Sequence, residues 1–515
     1  MALTLSDLWG RLSFQNTAYG TLLAALKRQL LTYYIGHAVY ALYIHPLSRY
    51  PGPKFAAISF IPQIVYEIRG QQHSWVKTLH DQYGEVVRIG PNALVYRAPQ
   101  AWKDIYGHKK GGQKTFVKDP QLYTAAPNHV EGILTVNGAD HSRMRRLMAH
   151  AFSDRALREQ ETLLHTYADL LVQKIHKQLV ECKTTKVIDL VRWYNYTTFD
   201  LIGDLSFGEP FNCLRDDQYH WWVSLMLDAV KVSGYLKIPY FYPFLKPLGK
   251  LLIPKRLIER RDAVFQQAVE RVSRRLQRQM ERPDFTSYIL KHKDDELAMS
   301  RGELDANAGT FVLAGSETTA ATLSGTTYYL LRHPAVYRRL VGEVRGAFKD
   351  ALDIQLSSIA SLPYLNAVLD ESMRIYPPVP AMLPRLVPKG GAMINNQYVP
   401  EGTSVSIAMY STVRSATNFA EPDSFIPERW LLPADGGITF EKDNKFALQP
   451  FAYGPRVCLG QHLAFAEMRL ILVKTLWHFD LELTPEGLDW VEQKSYNLWD
   501  RPPLRVKVSL APNAV

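Results

Sequence analysis

The run Phe451-Ala-Tyr-Gly454-Pro-Arg456-Val-Cys458-Leu-Gly460 ends a turn-forming loop with a cysteine, and the residues after it, from Gln461 to Leu470, have helical composition and spacing. A thiol at a helix N-terminus meets unpaired backbone N–H groups and the positive end of the helix dipole, which favour thiolate over thiol. Gly454 and Gly460 allow a tight turn and a close approach of backbone to a flat ligand. Arg456 offers a fixed charge with a fork suited to a carboxylate. Phe451 stands seven residues before the cysteine and can wall the sulfur off from water. A soft thiolate held this way suits an iron porphyrin.

A second stretch carries residues that a helix would not choose for stability. Ser300-Arg-Gly-Glu303 is a capping box opening a long apolar-periodic segment that ends near His333-Pro334. In its middle lies Ala314-Gly315-Ser316-Glu317-Thr318-Thr319. Glycine costs about 1 kcal/mol against alanine in a helix. A threonine hydroxyl can take over a backbone carbonyl and locally bend or open the helix. Two further pairs share helix faces: His141 with Arg145, four apart, and Glu371 with Arg374, three apart. Taken alone, either pair also fits an ordinary solvated face.

The elements that must position these groups are mostly helical. Glu85–Ile89 and Ala93–Tyr96 flank Gly90-Pro91-Asn92 and read as a hairpin. A second sheet candidate runs from Ala392 to Met409, with turns at Asn395-Asn396 and Pro400-Glu401-Gly402. Pro120 to Asp140 is loop-like, and Pro377-Pro378-Val379-Pro380 forces extended backbone after the helix of Glu371. Nearly everything else has a helical pattern, so the expectation is one large mainly α domain with a small β-sheet region. Leu214 to Leu257 mixes aromatic with basic residues, a stretch that helix packing alone would also explain.

Composition narrows the function classes. Three cysteines in 515 residues (Cys182, Cys213, Cys458) argue against a disulfide framework and for a reducing compartment. No Cys-x-x-Cys or His-Glu-x-x-His pattern supports zinc. The net charge is +10, but the basic residues form no tract and match no nucleic-acid module. An anionic membrane surface and an acidic protein partner account for the excess better than nucleic acid does. The sequon at Asn195 carries no weight in a domain facing the cytosol.

At the N-terminus, Leu30 to Ile44 is largely apolar but falls short of the roughly 20 residues a bilayer span needs. Counting from Thr21, with Lys27 and Arg28 snorkelling outward, gives an impure span; an interfacial helix is the alternative. Nothing there resembles a cleavable signal peptide. Residues 1–44 are therefore expected to anchor the chain to a membrane. Residues 45–53, with Pro46, Pro51 and Pro53, should form a stiff extended hinge. Residues 54–515 should form the catalytic domain.

The cysteine run resembles the haem-binding loop of the cytochrome P-450 superfamily, Phe-x-x-Gly-x-Arg-x-Cys-x-Gly, at every defined position. The likeness extends over roughly residues 45 to 510, and the proline-rich segment resembles the hinge of membrane-bound members. It implies haem b (iron protoporphyrin IX) with Cys458 as the iron ligand, held further by Phe451, Gly454, Arg456 and Gly460. It also implies propionate contacts from Arg145, Arg385 and His141, the last standing where tryptophan is usual, as in fungal members. By the same resemblance Thr318 would stand beside dioxygen and order water, while Glu317 relays protons from solvent. Glu371, Arg374 and Arg429 would form a structural cluster fixing the cysteine loop. Val379 to Leu383 would face substrate, with Tyr496 to Trp499 as a last wall and residues 214–257 as a lid.

The implied activity is insertion of one atom of dioxygen into a lipophilic small molecule, by hydroxylation or epoxidation. The setting would be biosynthesis of a terpenoid or polyketide mycotoxin-type secondary metabolite. Electrons would come from NADPH–cytochrome P-450 reductase, since no Gly-x-Gly-x-x-Gly fingerprint is present. The location would be the endoplasmic reticulum membrane, with the catalytic domain facing the cytosol. Two other readings stand beside this one: a haem-thiolate isomerase or dehydratase that needs no reductase, and a non-enzymatic membrane haem protein.

Overall fold

The computed structural model describes residues 5–109, 111, 114–120, 123, 125–181, 185–244, 255–278, 282–291 and 297–512. Cys182 and residues 245–254 of the aromatic stretch lie outside them. The helical pattern is realised in principal helices α1 (Leu5–Val39), α2 (Gly138–Ala149), α3 (Asp154–Glu181), α4 (Leu190–Phe207) and α5 (Trp221–Leu236). These continue as α6 (Lys255–Gln277), α7 (Arg301–Arg332), α8 (Pro363–Ile375) and α9 (Gln461–His478). Helix α7 begins at the expected capping box, with Ser300 Oγ accepting from Glu303 N and the Glu303 carboxylate from Ser300 N.

Helix α4 shows why the centre is helical on all sides. Every residue from Leu190 to Phe207 except Arg192 is buried, which is the mark of an interior helix. It packs along α7, and at Gly315 the two are in tight contact. A Cβ there would lie 2.5 Å from Ile202 Cδ1. Gly315 is thus a packing glycine, and α7 runs unbroken from Arg301 to Arg332 instead of bending or opening at the Gly–Thr stretch.

The expected hairpin is β1 (Val86–Gly90) with β2 (Ala93–Tyr96). The sheet order is β1-β2-β8-β5-β3, where β3 is Val117–Lys118, β5 Arg385–Leu386 and β8 Ser404–Ile407. Only the first part of the 392–409 candidate stays by itself, as the hairpin β6 (Ala392–Ile394) and β7 (Gln397–Val399). Its turn residues Asn395 and Asn396 both have positive φ (47° and 60°), as a two-residue hairpin turn requires. Strand β8 leaves to pair in parallel with β2. A further sheet, β4-β12-β9 (Thr185–Asp189, Arg505–Leu510, Phe479–Leu483), has no counterpart in the sequence reading. The hairpin β10 (Lys494–Tyr496) and β11 (Leu498–Asp500) precedes β12.

Residues 45–50 turn and pack against the domain, and only Pro53 of the short remainder is shown with extended backbone. Leu47 and Tyr50 are buried, Ser48 N donates to His45 O, and Tyr50 Oη donates to Tyr398 O. Buried Arg88 of β1 donates to Ala41 O and Pro91 O, each at 2.7 Å, and so ties the end of the N-terminal helical segment to the sheet. Among the described residues no helix is long and apolar enough to cross a membrane. Helix α1 nevertheless exposes Leu30, Leu31, Tyr33, Tyr34 and Ile35. Asn195 of the sequon is buried and donates to Tyr219 Oη.

Candidate active site

The cysteine loop is held from three sides. Cys458 N donates to Phe451 O at 2.8 Å, and the Phe451 ring packs on Phe465 of α9 (ring centroids 5.2 Å apart). Arg145 Nη1 donates to Val457 O at 2.7 Å. Gly454 has φ +78°, and a Cβ on it would lie 2.1 Å from Tyr106 O, so both backbone and space demand glycine there. Gly460, the residue before α9, has φ −89° and would meet Phe152 only at 3.7 Å; the backbone does not require glycine at that position. Gly454→Ala is expected to cost about 1–3 kcal/mol, the range for a non-glycine residue forced into such a conformation. Thermal unfolding and the haem content of the purified protein would measure it.

The Cys458 side chain is exposed, in a position otherwise densely surrounded by protein. Burial pushes its thiol above the ordinary range, while the Gly460 N–H and the Arg145 guanidinium pull the other way. The helix end does not outweigh burial, and a bound cation is what would secure the thiolate.

Helix α7 carries the second group. Ala314 is exposed and Thr318 half-buried in the middle of a helix that is otherwise largely buried. The two are four apart and share a face. Thr318 Oγ1 donates to Ala314 O at 2.7 Å. The next residue, Thr319, hydrogen-bonds the buried Glu467 of α9. Glu467 lies roughly 9 Å along α9 from its first residue, so that contact anchors the threonine face of α7 near the helix that starts at the cysteine loop. Burial pushes the Glu467 carboxyl up to about 8, so it is neutral at pH 7. Val379 and Ala381–Pro384 are partly exposed in the segment after α8.

Glu317 lies elsewhere. It is buried on another side of α7 and pairs with Arg501 at 2.6 Å, with no direct link to the Thr318 hydroxyl. Trp499 is also mainly structural: it stacks on Tyr376 (4.9 Å) and donates to Pro377 O at 2.8 Å.

At one edge, basic residues converge from four elements: Lys118 of β3, His141 and Arg145 of α2, Arg385 of β5, and Arg456 of the loop. Among the described residues none of them forms an ion pair. Arg385 and Arg456 each keep one buried guanidinium nitrogen (Nη1) without a partner. Arg456 Nη2 donates to Val136 O (2.8 Å) and Asn137 Oδ1 (3.2 Å). Burial and then Arg456 push the Lys118 ammonium down to about 6, and the same two causes push His141 down to about 3. Unpaired buried charge of one sign is costly, and orphaned donors in such a cluster suit an anionic ligand. A flat macrocycle that bears two carboxylates and takes a thiolate ligand would suit this donor set. The residues present therefore fit an iron porphyrin. Lys118 and Tyr123, whose ring lies beneath the Lys118 ammonium, join the set without a sequence signal; isolated residues before a loop carry no motif.

The structural cluster lies behind the loop. Arg374 donates to both Glu371 oxygens at 2.8 Å, Arg429 Nε to Oε1 at 3.2 Å and Trp430 Nε1 to Oε2 at 2.8 Å. All three charged residues are fully buried.

Comparison with known proteins agrees with this geometry. Residues 51–508 match the family model described as cytochrome P450. The chain is 47% identical to cytochrome P450 monooxygenase astJ of Aspergillus oryzae, over 91% of this chain and 93% of that protein. It is 45% identical to cytochrome P450 monooxygenase atr2 of Stereocaulon alpinum, over 98% of each. Averantin hydroxylase of Dothistroma septosporum is 41% identical, over 97% of this chain and 94% of that one.

Proposed function

Because this chain belongs to the cytochrome P450 family, we propose that it is a haem b monooxygenase attached to the endoplasmic reticulum membrane, facing the cytosol and fed by NADPH–cytochrome P450 reductase. A haem-thiolate cofactor, a redox partner, dioxygen and a lipophilic substrate belong to the family as a whole, and the named relatives support a monooxygenase role in secondary metabolism. Hydroxylation of a lipophilic secondary metabolite is the reaction proposed here, supported by the relative named a hydroxylase.

The observation that carries the reading is a cysteine loop held by Phe451 and Arg145 beside buried arginines, Arg385 and Arg456, whose guanidinium donors lack partners. When bound, the haem supplies dioxygen activation, aided by electron density from its thiolate ligand. The chain does the rest. Phe451 and the loop backbone fix the sulfur and keep water from it. Arg145, Arg385, Arg456, Lys118 and neutral His141 would hold the propionates and set the plane of the ring. The Thr318 hydroxyl, now satisfied by Ala314 O, can turn to hold a water and pass a proton to the reacting oxygen, which an apolar pocket cannot do unaided. Glu317 is the proposed source of that proton.

Support for the membrane site is the apolar surface of α1 and the basic excess of the chain. For the reductase, a cavity of about 510 Å³ lined by the cysteine loop carries the basic His108 and Lys445 along with Asp370, and the basic excess of the chain favours an acidic partner there.

Thr318→Ala tests the reading. With reductase and NADPH, product per NADPH is expected to fall by up to roughly 10²-fold while NADPH is still consumed and peroxide accumulates. Unchanged product without any need for reductase would instead identify an isomerase.

A further inference from the structure

The short helix Ile61–Ile68 buries its polar residues and leaves its apolar ones outside. Gln63 and Glu67, four apart and so on one face, are its buried residues, while Ile61 is exposed and Ile64, Val65 and Ile68 are partly exposed. A helix that has isoleucines to offer rarely turns a glutamine and a glutamate inward, and such a conflict between local pattern and burial marks functional positions. Glu67 is ion-paired with Lys237, just after α5, their side chains 10% and 13% exposed. Gln63 is 9% exposed, and its Oε1 is buried without a partner. A buried acceptor left unmet is costly and calls for an explanation. Gln63, Glu67 and Lys237 line a cavity of about 40 Å³ together with Phe241, Met382 and Asn497. The last three come from separate stretches: Phe241 follows α5, Met382 lies in the segment after α8, and Asn497 makes the β10–β11 turn with φ +74°. Those are the three stretches that the family resemblance sets against substrate, residues 214–257, 379–383 and 496–499. The structure brings them to one place, against a helix to which the resemblance gave no role.

We propose that Gln63 is a specificity-determining residue, its side-chain amide receiving a terminal, uncharged hydroxyl of the lipophilic substrate in this cavity beside the Glu67–Lys237 pair. The inference rests on the reading of the chain as a monooxygenase of a lipophilic small molecule. Charge selects the group. Glu67 and Lys237 are the only charged residues lining the cavity among those described, and they neutralise one another. A carboxylate brought there would be buried with no cation free to pair with it. A hydroxyl both donates and accepts, so it can give its proton to Gln63 Oε1 and still be met by a donor. Size makes the group terminal, since the volume holds a hydroxyl or a few waters and no ring. Place makes it an anchor and not the oxidised group: no residue of the cysteine loop or of α7 lines this cavity. A site built to hydrogen-bond a hydroxyl rejects the analogue lacking it, because its own buried group is then left unpaired.

The test uses three probes of equal chain length, 4-dodecylphenol, its methyl ether and dodecanoic acid, titrated into the haem-loaded full chain and followed by the shift of the Soret band. The native protein should bind the phenol roughly 5- to 100-fold more tightly than the ether, and the acid more weakly than the phenol. Gln63→Leu keeps the size of the side chain and removes the acceptor. It should bring phenol and ether within about threefold of each other by weakening the phenol alone. Gln63→Asn keeps the amide but draws it back by one methylene, and should lose the preference as well, so a leucine variant that folds poorly does not end the test. With reductase and NADPH, the native protein should oxidise the phenol at one part of its alkyl chain, and both variants should scatter the position. A native protein that binds phenol and ether equally, binds neither, or prefers the acid overturns the proposal. So does a preference for the phenol that survives in both variants. Two outcomes separate this subsite from the activity it serves. Reductase-dependent oxidation of phenol and ether without discrimination removes the subsite and leaves the monooxygenase. Discrimination in the titration that depends on Gln63, with no reductase-dependent oxidation of either probe, supports the subsite and counts against the monooxygenase.

Discussion

Cys458→Ser is expected to abolish monooxygenase activity while leaving a folded protein. Serine preserves the size of the side chain, the Cys458 N to Phe451 O hydrogen bond and the loop fixed by Arg145. What it removes is the soft, polarisable ligand. An alkoxide is far harder to form than a thiolate, and burial at this position already works against any anion. The reduced carbon monoxide spectrum is the measurement. The native protein should give the strongly red-shifted Soret band of thiolate ligation, and the variant should lack it while retaining native helix content. A native band at the ordinary imidazole-ligated position would remove the ligand assignment, and with it the role given to every residue around the loop.

The second large effect is on folding. Glu371→Ala leaves Arg374 and Arg429 facing one another in an interior where neither side chain is exposed to water, and it deprives Ile426 N and Trp430 Nε1 of their acceptor. Breaking a buried pair costs about 3–5 kcal/mol because the remaining charge is uncompensated. Here Arg374 loses the only counter-charge it has among the described residues and keeps just carbonyl acceptors at Val413, Pro422 and Ser424, while Arg429 retains its ion pair with Asp443. Against a total stability of roughly 5–15 kcal/mol, the expected result is a chain with a sharply lower unfolding temperature that recovers little haem on expression. Arg374→Lys should be intermediate, since an ammonium keeps the charge but loses the two parallel bonds. An Ala variant with native melting and native haem content would mean the cluster is dispensable for the loop.

Much of the site could be read from the sequence because its chemistry is local. The spacing of Phe451, Gly454, Arg456 and Cys458 is a single loop, and Gly454 shows why such spacing is readable: one residue both turns the backbone and admits Tyr106 O. The capping box of α7 and the Asn395-Asn396 turn are likewise decided within four residues. The spacing of Glu371 and Arg374 alone fits any surface pair; only the family resemblance joined it to Arg429, 55 residues later, and the structure buries all three together.

The sequence alone, then, determined the helical class, the thiolate loop and the threonine on the central helix, since each depends on periodicity or on contacts inside one segment. Tertiary structure decided the rest. It turned Glu317 away from Thr318 and onto Arg501, a partner 184 residues distant that no spacing rule could supply. It gathered Lys118 with Arg385 and Arg456 into one unpaired cationic edge. It gave Gly315 its reason in Ile202 of a neighbouring helix, and it built the β4-β12-β9 sheet from strands drawn from the middle and the end of the chain. The physical cause is common to all four: burial, desolvation and close approach are properties of which segments meet, and they have no magnitude until the segments have met.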